Sequence, residues 1–182
     1  MFALIARMDT AGSAILAFRE RTAARWTIGH ADSPATWRFR LGMASEAAVI
    51  VRSSEGYVWN GEPIGDGQVR SLPGLAVRFR QPHPWTPTAV LERLDGPRAV
   101  DGTESLVLAS GPVLFGGEGA HLAARGAGET IALFRPDEAA SDPEMTLAWK
   151  LVSGPLDSHP VNRIAPPTFI ETDTLRLTLD PV

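Results

Sequence analysis

The chain has 182 residues, of which 44% are hydrophobic and 21% charged, and its formal net charge is −4. A domain of this length can bury a hydrophobic core without disulfides or structural metals. The absence of cysteine excludes disulfides, thiolate catalysis and cysteine-ligated zinc. The negative charge argues against a nucleic-acid-binding protein, which would carry clustered positive charge.

The N-terminal segment MFALIARMDTAGS contains an apolar run that is too short for a signal peptide. No stretch of the sequence approaches the ~20 apolar residues that a membrane helix needs. We therefore expect synthesis in the cytoplasm without a signal peptide, and no insertion into a membrane.

Alternation of apolar and polar residues with a period of two runs through most of the chain and predicts strands. The first lies within residues 2–6, and the segment 13–26 is ambiguous between a strand and a short helix. The pattern predicts further strands, in chain order, within 25–28, 37–41, 47–52, 57–59, 75–80, 104–109, 113–115, 121–124, 130–134, 147–151 and 174–180.

Turn residues separate these strands. Asn60-Gly61 is the strongest hairpin motif in the sequence, because both residues tolerate the positive φ of a type I′ turn. Many short strands at spacings of roughly 8–12 residues indicate a sandwich or barrel. We predict an all-β fold: an antiparallel β-sandwich, of which a jelly roll is one form, with short helices or none.

We expect one β-rich domain over residues 1–182. The segment QPHPWTPT (81–88) has three prolines, which cannot donate to a strand ladder, so it is a connector and the best candidate for a subdomain boundary. The two halves of the sequence each contain an alternating strand, a glycine turn and a tryptophan-bearing strand, but this likeness is too faint to identify a repeat.

Catalytic and metal-binding motifs are missing, so we expect neither enzymatic activity nor a cofactor or metal. His30 and Asp32 form at most a weak metal pair at the end of a hairpin. His83 and His159 precede prolines, and we expect both to be exposed. The glycine-rich segment 115–129 lacks the Lys-Ser/Thr pair and the helix of a phosphate loop, so a hairpin with glycine bulges is the better interpretation.

Pairs of carboxylates at 137–138, 142–144 and 171–173 have the residue type that a glycosidase needs. They lie in loops beside prolines or threonines, where acids usually cap turns and stay solvated.

Arginines alternate with apolar residues on two predicted strands, with Arg38 and Arg40 on one and Arg78 and Arg80 on the other. If the two strands are neighbours, four guanidinium groups form a patch that can grip carboxylates bidentately. The alternative is that these arginines are simply the solvent-facing side of an antiparallel sheet.

Trp85, between prolines in the sequence HPWTP, is the best candidate for a surface contact with a sugar ring or a partner protein, and His83 lies beside it. The other aromatic residues on alternating strands fall on positions that we predict to face the core: Trp26, Trp37, Phe39, Trp59 and Trp149.

The stretch from about Ala14 to Gly67 resembles β-rich modules in tail-fibre and spike proteins of tailed phages and of phage-like gene transfer agents. Those modules pair a strand reading roughly W-x-I-G with a second strand reading F-x-(F/L), followed by a serine-glycine turn and a short aromatic strand. The matching positions here are Trp26, Ile28, Gly29, Phe39, Leu41, Ser54, Gly56 and Trp59.

The resemblance implies a non-enzymatic structural and binding component of a phage-like particle, of the fibre or spike type. It implies a homo-oligomer that contacts other particle proteins and the polysaccharide of a host cell surface. Two alternatives stay open on the residues alone: a small-molecule-binding β-barrel of the calycin type, and a glycoside-active enzyme that uses acids within 137–144.

Overall fold

A computed structural model of the chain describes residues 2–8, 12–19, 24–83, 86–135, 146–152 and 160–182. These residues form eighteen strands and no helix, which confirms the all-β prediction. In the same part of the chain there is consequently no helix of the length and apolarity needed to span a bilayer.

Eight strands form a central sheet. All of its neighbouring strands are antiparallel except one pair at the middle, β2 and β11, which run parallel with Leu16 opposite Val107. The strands, from edge to edge, are β17 (Thr168–Glu171), β18 (Arg176–Pro181), β1 (Phe2–Met8), β2 (Gly12–Phe18), β11 (Ser105–Ala109), β10 (Ala89–Asp95), β9 (Leu75–Arg80) and β8 (Val69–Leu72).

Two five-stranded sheets cover the central sheet. The first outer sheet has the order β4 (Trp37–Phe39), β3 (Arg25–His30), β5 (Ala48–Ser53), β6 (Gly56–Trp59) and β7 (Glu62–Ile64). The second outer sheet has the order β13 (Leu122–Ala123), β12 (Val113–Gly116), β14 (Thr130–Phe134), β15 (Leu147–Leu151) and β16 (Asn162–Ile164).

The outer sheets pack on opposite faces of the central sheet. Along β2, Ile15 and Ala17 join the hydrophobic cluster beneath the first outer sheet, whereas Ala14, Leu16 and Phe18 join the cluster beneath the second. Alternate side chains of β10 likewise enter one cluster and then the other, and so do those of β11. The protein is therefore a three-layered β-sandwich with two hydrophobic cores, one on each side of the central sheet.

The predicted core aromatics and hairpin are confirmed. Trp26, Trp37, Phe39 and Trp59 are buried beneath the first outer sheet, and the half-buried Trp149 packs against the other core. The backbone at 60–61 has φ of 47° and 90°, and this turn joins the antiparallel strands β6 and β7.

We expected His30 at the end of a hairpin, but the strand that follows it, β4, runs parallel to β3, with Ile28 opposite Trp37. Two buried threonines join them where the chain folds back. The N–H of Thr27 donates to Oγ1 of Thr36 (3.2 Å), and the N–H of Thr36 donates to Oγ1 of Thr27 (3.0 Å). The threonine hydroxyls thus accept from two backbone N–H groups that the strand pairing does not satisfy.

The glycine-rich segment joins β12 to β14, which are antiparallel with Gly116 opposite Thr130, as in the expected hairpin. Within the segment, the short β13 pairs with β12 in parallel, with Phe115 opposite Leu122. Here the N–H of Leu114 donates to Nδ1 of His121 (2.8 Å). Leu114 and His121 stand one residue before this pair, as Thr27 and Thr36 stand before theirs. A histidine ring therefore accepts the hydrogen bond that a threonine hydroxyl accepts in the first outer sheet.

The strand order repeats in the two halves of the chain, β1–β9 and β10–β18. Each half starts with a hairpin in the central sheet, continues into a five-stranded outer sheet with the same order and the same parallel pair, and returns to the central sheet with a second hairpin. The returning hairpin pairs with the other half: β9 lies beside β10, and β18 beside β1.

Two glycines mark the same point in the two halves. A Cβ on Gly29 would overlap the carbonyl oxygen of Ser45, and a Cβ on Gly116 would overlap that of Glu129. Each glycine lies in the outer parallel pair, Gly29 opposite Arg38 and Gly116 opposite Ala123, where a backbone oxygen passes too close for any side chain.

We expect Gly29→Ala to lower the free energy of unfolding by about 1–3 kcal/mol, because the added methyl group must displace backbone. Gly42→Ala is the matched control: space around Gly42 is open, so its effect should stay within about 0.5 kcal/mol. Denaturant titration of both variants measures the difference. Equal effects would mean that the close approach does not constrain position 29.

Candidate functional site

A surface cleft of about 290 Å³ opens beside the second outer sheet, over strands β9 and β10 of the central sheet. We call it the arginine cleft. Its polar lining consists of Arg78, Arg80, Glu92, Arg93, Glu104, Ser105 and His121, and Leu94, Leu122 and Ala123 complete it.

Glu92 lies at the centre of the lining and is held by two arginines. Arg78 donates through Nε (3.2 Å) and Nη2 (2.8 Å) to Oε2 of Glu92, and Arg80 donates through Nη1 to Oε1 (2.7 Å). Strand register explains the contact, since Arg78, Glu92 and Ser105 are direct partners across β9, β10 and β11. We call these three residues the cleft row.

A second ion-pair group borders the first. Glu104 accepts Arg98 (2.8 Å) and lies 3.6 Å from Arg93 through the same oxygen. The register of β10 shifts between Arg93 and Asp95, and the extra residue, Leu94, is exposed at the cleft. Such bulges commonly redirect side chains beside functional sites.

The two groups contain more positive charge and more donors than they use internally. Four guanidinium groups face two carboxylates, which leaves two positive charges on a protein whose net charge is −4. A guanidinium has five N–H donors, and Arg78 and Arg80 together spend three on Glu92. In the described contacts, seven of their ten donors thus have no protein acceptor.

His121 is a fixed wall of the cleft. The residue is only 2% exposed. Nδ1 accepts the Leu114 N–H, so Nε2 carries the proton and donates to the carbonyl of Thr88 (3.1 Å). The pKa of His121 is lowered to about 4, chiefly by burial; the hydrogen bond to the Thr88 carbonyl opposes this shift, and the charges of His83 and Arg80 add to it. Because both ring nitrogens are engaged, His121 is not placed to carry protons.

The segment that follows position 85 is tied down on several sides. Thr86 donates to the carbonyl of Pro112 (2.7 Å), and Thr88 donates to that of Gly111 (3.1 Å). The hydroxyl of Tyr57 lies 2.5 Å from the Pro87 carbonyl, and burial raises its pKa to about 12. The described residues just before β10 are therefore bonded to Tyr57, which lies in the core beneath the first outer sheet, and to the turn before β12.

The four arginines of the sequence hypothesis do not meet through strand pairing. Arg38 and Arg40 lie at and just after β4, at an edge of the first outer sheet, whereas Arg78 and Arg80 lie on β9 in the central sheet. Only the second pair lines the arginine cleft.

Trp85 and the acids at 137–138 and 142–144 fall outside the described residues. His83 is half-buried and not exposed as we expected. Nδ1 of His30 is 3.7 Å from a carboxylate oxygen of the exposed Asp32, and in the described ranges no group of three or more potential ligands could hold a metal.

Sequence reasoning did not identify Glu92, Glu104 or His121. The first would have followed from pairing RFR of β9 with LER of β10, which places opposite charges side by side. His121 gave no such indication, because its role depends on the parallel pair beside it.

No protein-family model, no curated protein and no solved structure matches this chain.

The buried His121 predicts a pH dependence of stability. Its pKa falls from 6.5 to about 4 on folding, so below pH 6.5 the unfolded state binds more protons and stability is lost as pH falls towards 4. We expect His121→Asn, which keeps an acceptor near Nδ1, to lose less stability on acidification: its unfolding free energy should fall by about 3 kcal/mol less between pH 7 and pH 4 than that of the wild type.

Unfolding free energies of both proteins at pH 7, 5.5 and 4 measure the effect. Parallel pH profiles for the two proteins would contradict the buried neutral imidazole.

Proposed function

We propose that the protein is a non-enzymatic binding module that holds the carboxylates of an acidic saccharide in the arginine cleft. The observation that carries the proposal is the pair Arg78 and Arg80, fixed side by side on one strand with most of their donors unused by the protein. Guanidinium groups in such a fork suit planar carboxylates.

The framework itself does not require arginines at these positions. In the other half of the chain, β18 corresponds to β9, and a row equivalent to the cleft row is formed by Thr178, Arg7 and Ser13. Asp180 takes the place of Arg80 there and pairs with Arg7. The same scaffold thus accepts the opposite charge, which supports a role for the arginines beyond folding.

The ion pairs of Arg78 and Arg80 with Glu92 contribute little to the stability of the fold. Arg78 and Arg80 have side chains that are 43% and 38% exposed, and ion pairs of this kind contribute about 0–1 kcal/mol. Recognition of an anion uses the same groups more fully, because each unused donor can form a charge-assisted hydrogen bond.

The volume of the cleft is near the lower end of ligand sites, which span ~300–1,000 Å³. It suits one charged residue of a longer polysaccharide better than a whole enclosed ligand. Both cleft carboxylates are engaged by arginines, whereas the general acid of a glycosidase stands in an environment that favours its protonated form. Binding is therefore favoured over hydrolysis.

The resemblance of residues 14–67 to tail-fibre and spike modules supplies a setting for such a module. In that setting the protein is a homo-oligomeric component of a phage-like particle, and the saccharide belongs to the surface of the host cell. The setting is a proposal that rests on the resemblance alone.

We expect the wild type to bind uronic-acid-containing capsular polysaccharides on a glycan array and to ignore their carboxyl-reduced forms. Arg78→Ala and Arg80→Ala should each weaken binding about tenfold or more, because a hydrogen bond between charged groups contributes about 1.5–3 kcal/mol. Binding should also fall as salt rises.

Arg70→Ala is the matched control. Arg70 lies on β8 opposite Val77 and therefore on the other face of the central sheet, and the variant changes the net charge by the same amount. A wild type that binds none of the acidic polysaccharides would refute the proposal. Equal losses of affinity in all three arginine variants would show that Arg78 and Arg80 have no special role, and would place the site outside the cleft. Trp85→Ala, assayed alongside, tests the separate prediction that this tryptophan contacts the sugar.

A further inference from the structure

Glu92 occupies the place where a bound carboxylate is expected, and we infer that it is a resident competitor which the ligand's carboxylate displaces. The inference rests on the proposed function and deepens it: the affinity for the ligand's carboxylate is set by exchange with Glu92.

The contacts of Glu92 are those of a recognised carboxylate. Its two oxygens go to different arginines, Oε2 to Arg78 and Oε1 to Arg80, with donor–acceptor distances of 2.7–3.2 Å. The carboxylate thus bridges the two guanidinium groups with one oxygen on each, and such charge-assisted hydrogen bonds are among the strong ones in proteins. The side chain of Glu92 therefore shows which chemistry the arginine pair accepts.

Glu92 can leave this place without breaking a core. Its side chain is 21% exposed, and within the described part of the chain its carboxylate bonds to the two arginines. The equivalent position in the other half holds Arg7, which has the opposite charge, so neither the sheet nor its register depends on a carboxylate here.

The exchange conserves hydrogen bonds at the arginines. One carboxylate replaces another, so the ligand gains affinity only from its other contacts and from donors that Glu92 leaves unused. The wild-type protein should consequently bind a single uronic acid weakly and depend on several residues or several sites for firm attachment.

The test is Glu92→Gln, which keeps the size of the side chain and removes the competing charge. We expect its affinity for free glucuronate to rise about fivefold to tenfold over the wild type, measured by isothermal titration calorimetry. Acetate, in a parallel titration, should compete with glucuronate, whereas sulfate at equal ionic strength should compete less.

Glu104→Gln is the matched control, because it removes one negative charge from the same cleft without touching Arg78 or Arg80. Its affinity should change by less than twofold. Equal gains in both variants would overturn the inference in favour of general charge, and so would weaker binding by Glu92→Gln or stronger competition by sulfate.

The two proposals fail in different ways. If the folded wild type binds polysaccharide but Glu92→Gln gains nothing, the proposed function stands and the displacement is wrong. If neither the wild type nor either variant binds any carboxylate, while thermal unfolding shows that all three are folded, the proposed function itself fails. Thermal unfolding midpoints of the three proteins supply this check.

Discussion

The structure depends on burying the central parallel pair, β2 and β11, on both faces at once. A strand in a two-layered sandwich hides every second side chain, whereas Ile15 and Leu16 go into different cores. Parallel strands generally need such double cover, and each half of the chain supplies it with one outer sheet. Covering both faces of the pair therefore requires both halves, and the cleft over β9 and β10 exists because the second outer sheet ends there.

The two halves maintain one backbone geometry with different chemistry. Thr36 and His121 accept the same kind of hydrogen bond beside the same kind of parallel pair, and Gly29 and Gly116 admit the same close approach of a carbonyl oxygen. The constraint acts on the backbone, and any side chain with an acceptor at the right distance can satisfy it. Surface positions are constrained even less: Arg78 and Arg80 on β9 correspond to Thr178 and Asp180 on β18.

Local sequence patterns were sufficient to predict the all-β class, because the alternation of apolar residues and the Asn60-Gly61 turn depend only on residues that are close together in the chain. They failed where distant segments decide the outcome. The run SAILAF was ambiguous, since burial on both faces removes the alternation that identifies a strand. The parallel pairs were missed because a short connection normally joins antiparallel strands.

Of the cleft, Arg78 and Arg80 could be foreseen as one face of a strand. Their partner Glu92 was missed, because contact between them depends on pairing β9 with β10 in the right register, and no local pattern indicates that pairing. The likeness of the halves was faint in sequence for a similar reason: Thr36 and His121 share a role that no comparison of residue types reveals.

The returning hairpins give the molecule an interlocked construction. Strands β8 and β9 belong to the first half by sequence but complete the sheet of the second, and β17 and β18 do the reverse. The arrangement resembles a domain-swapped dimer whose two protomers are joined in a single polypeptide. A backbone nick in the 81–88 connector would accordingly leave two fragments held together by three strand ladders, β1 with β18, β2 with β11 and β9 with β10, and neither fragment could complete the central sheet alone.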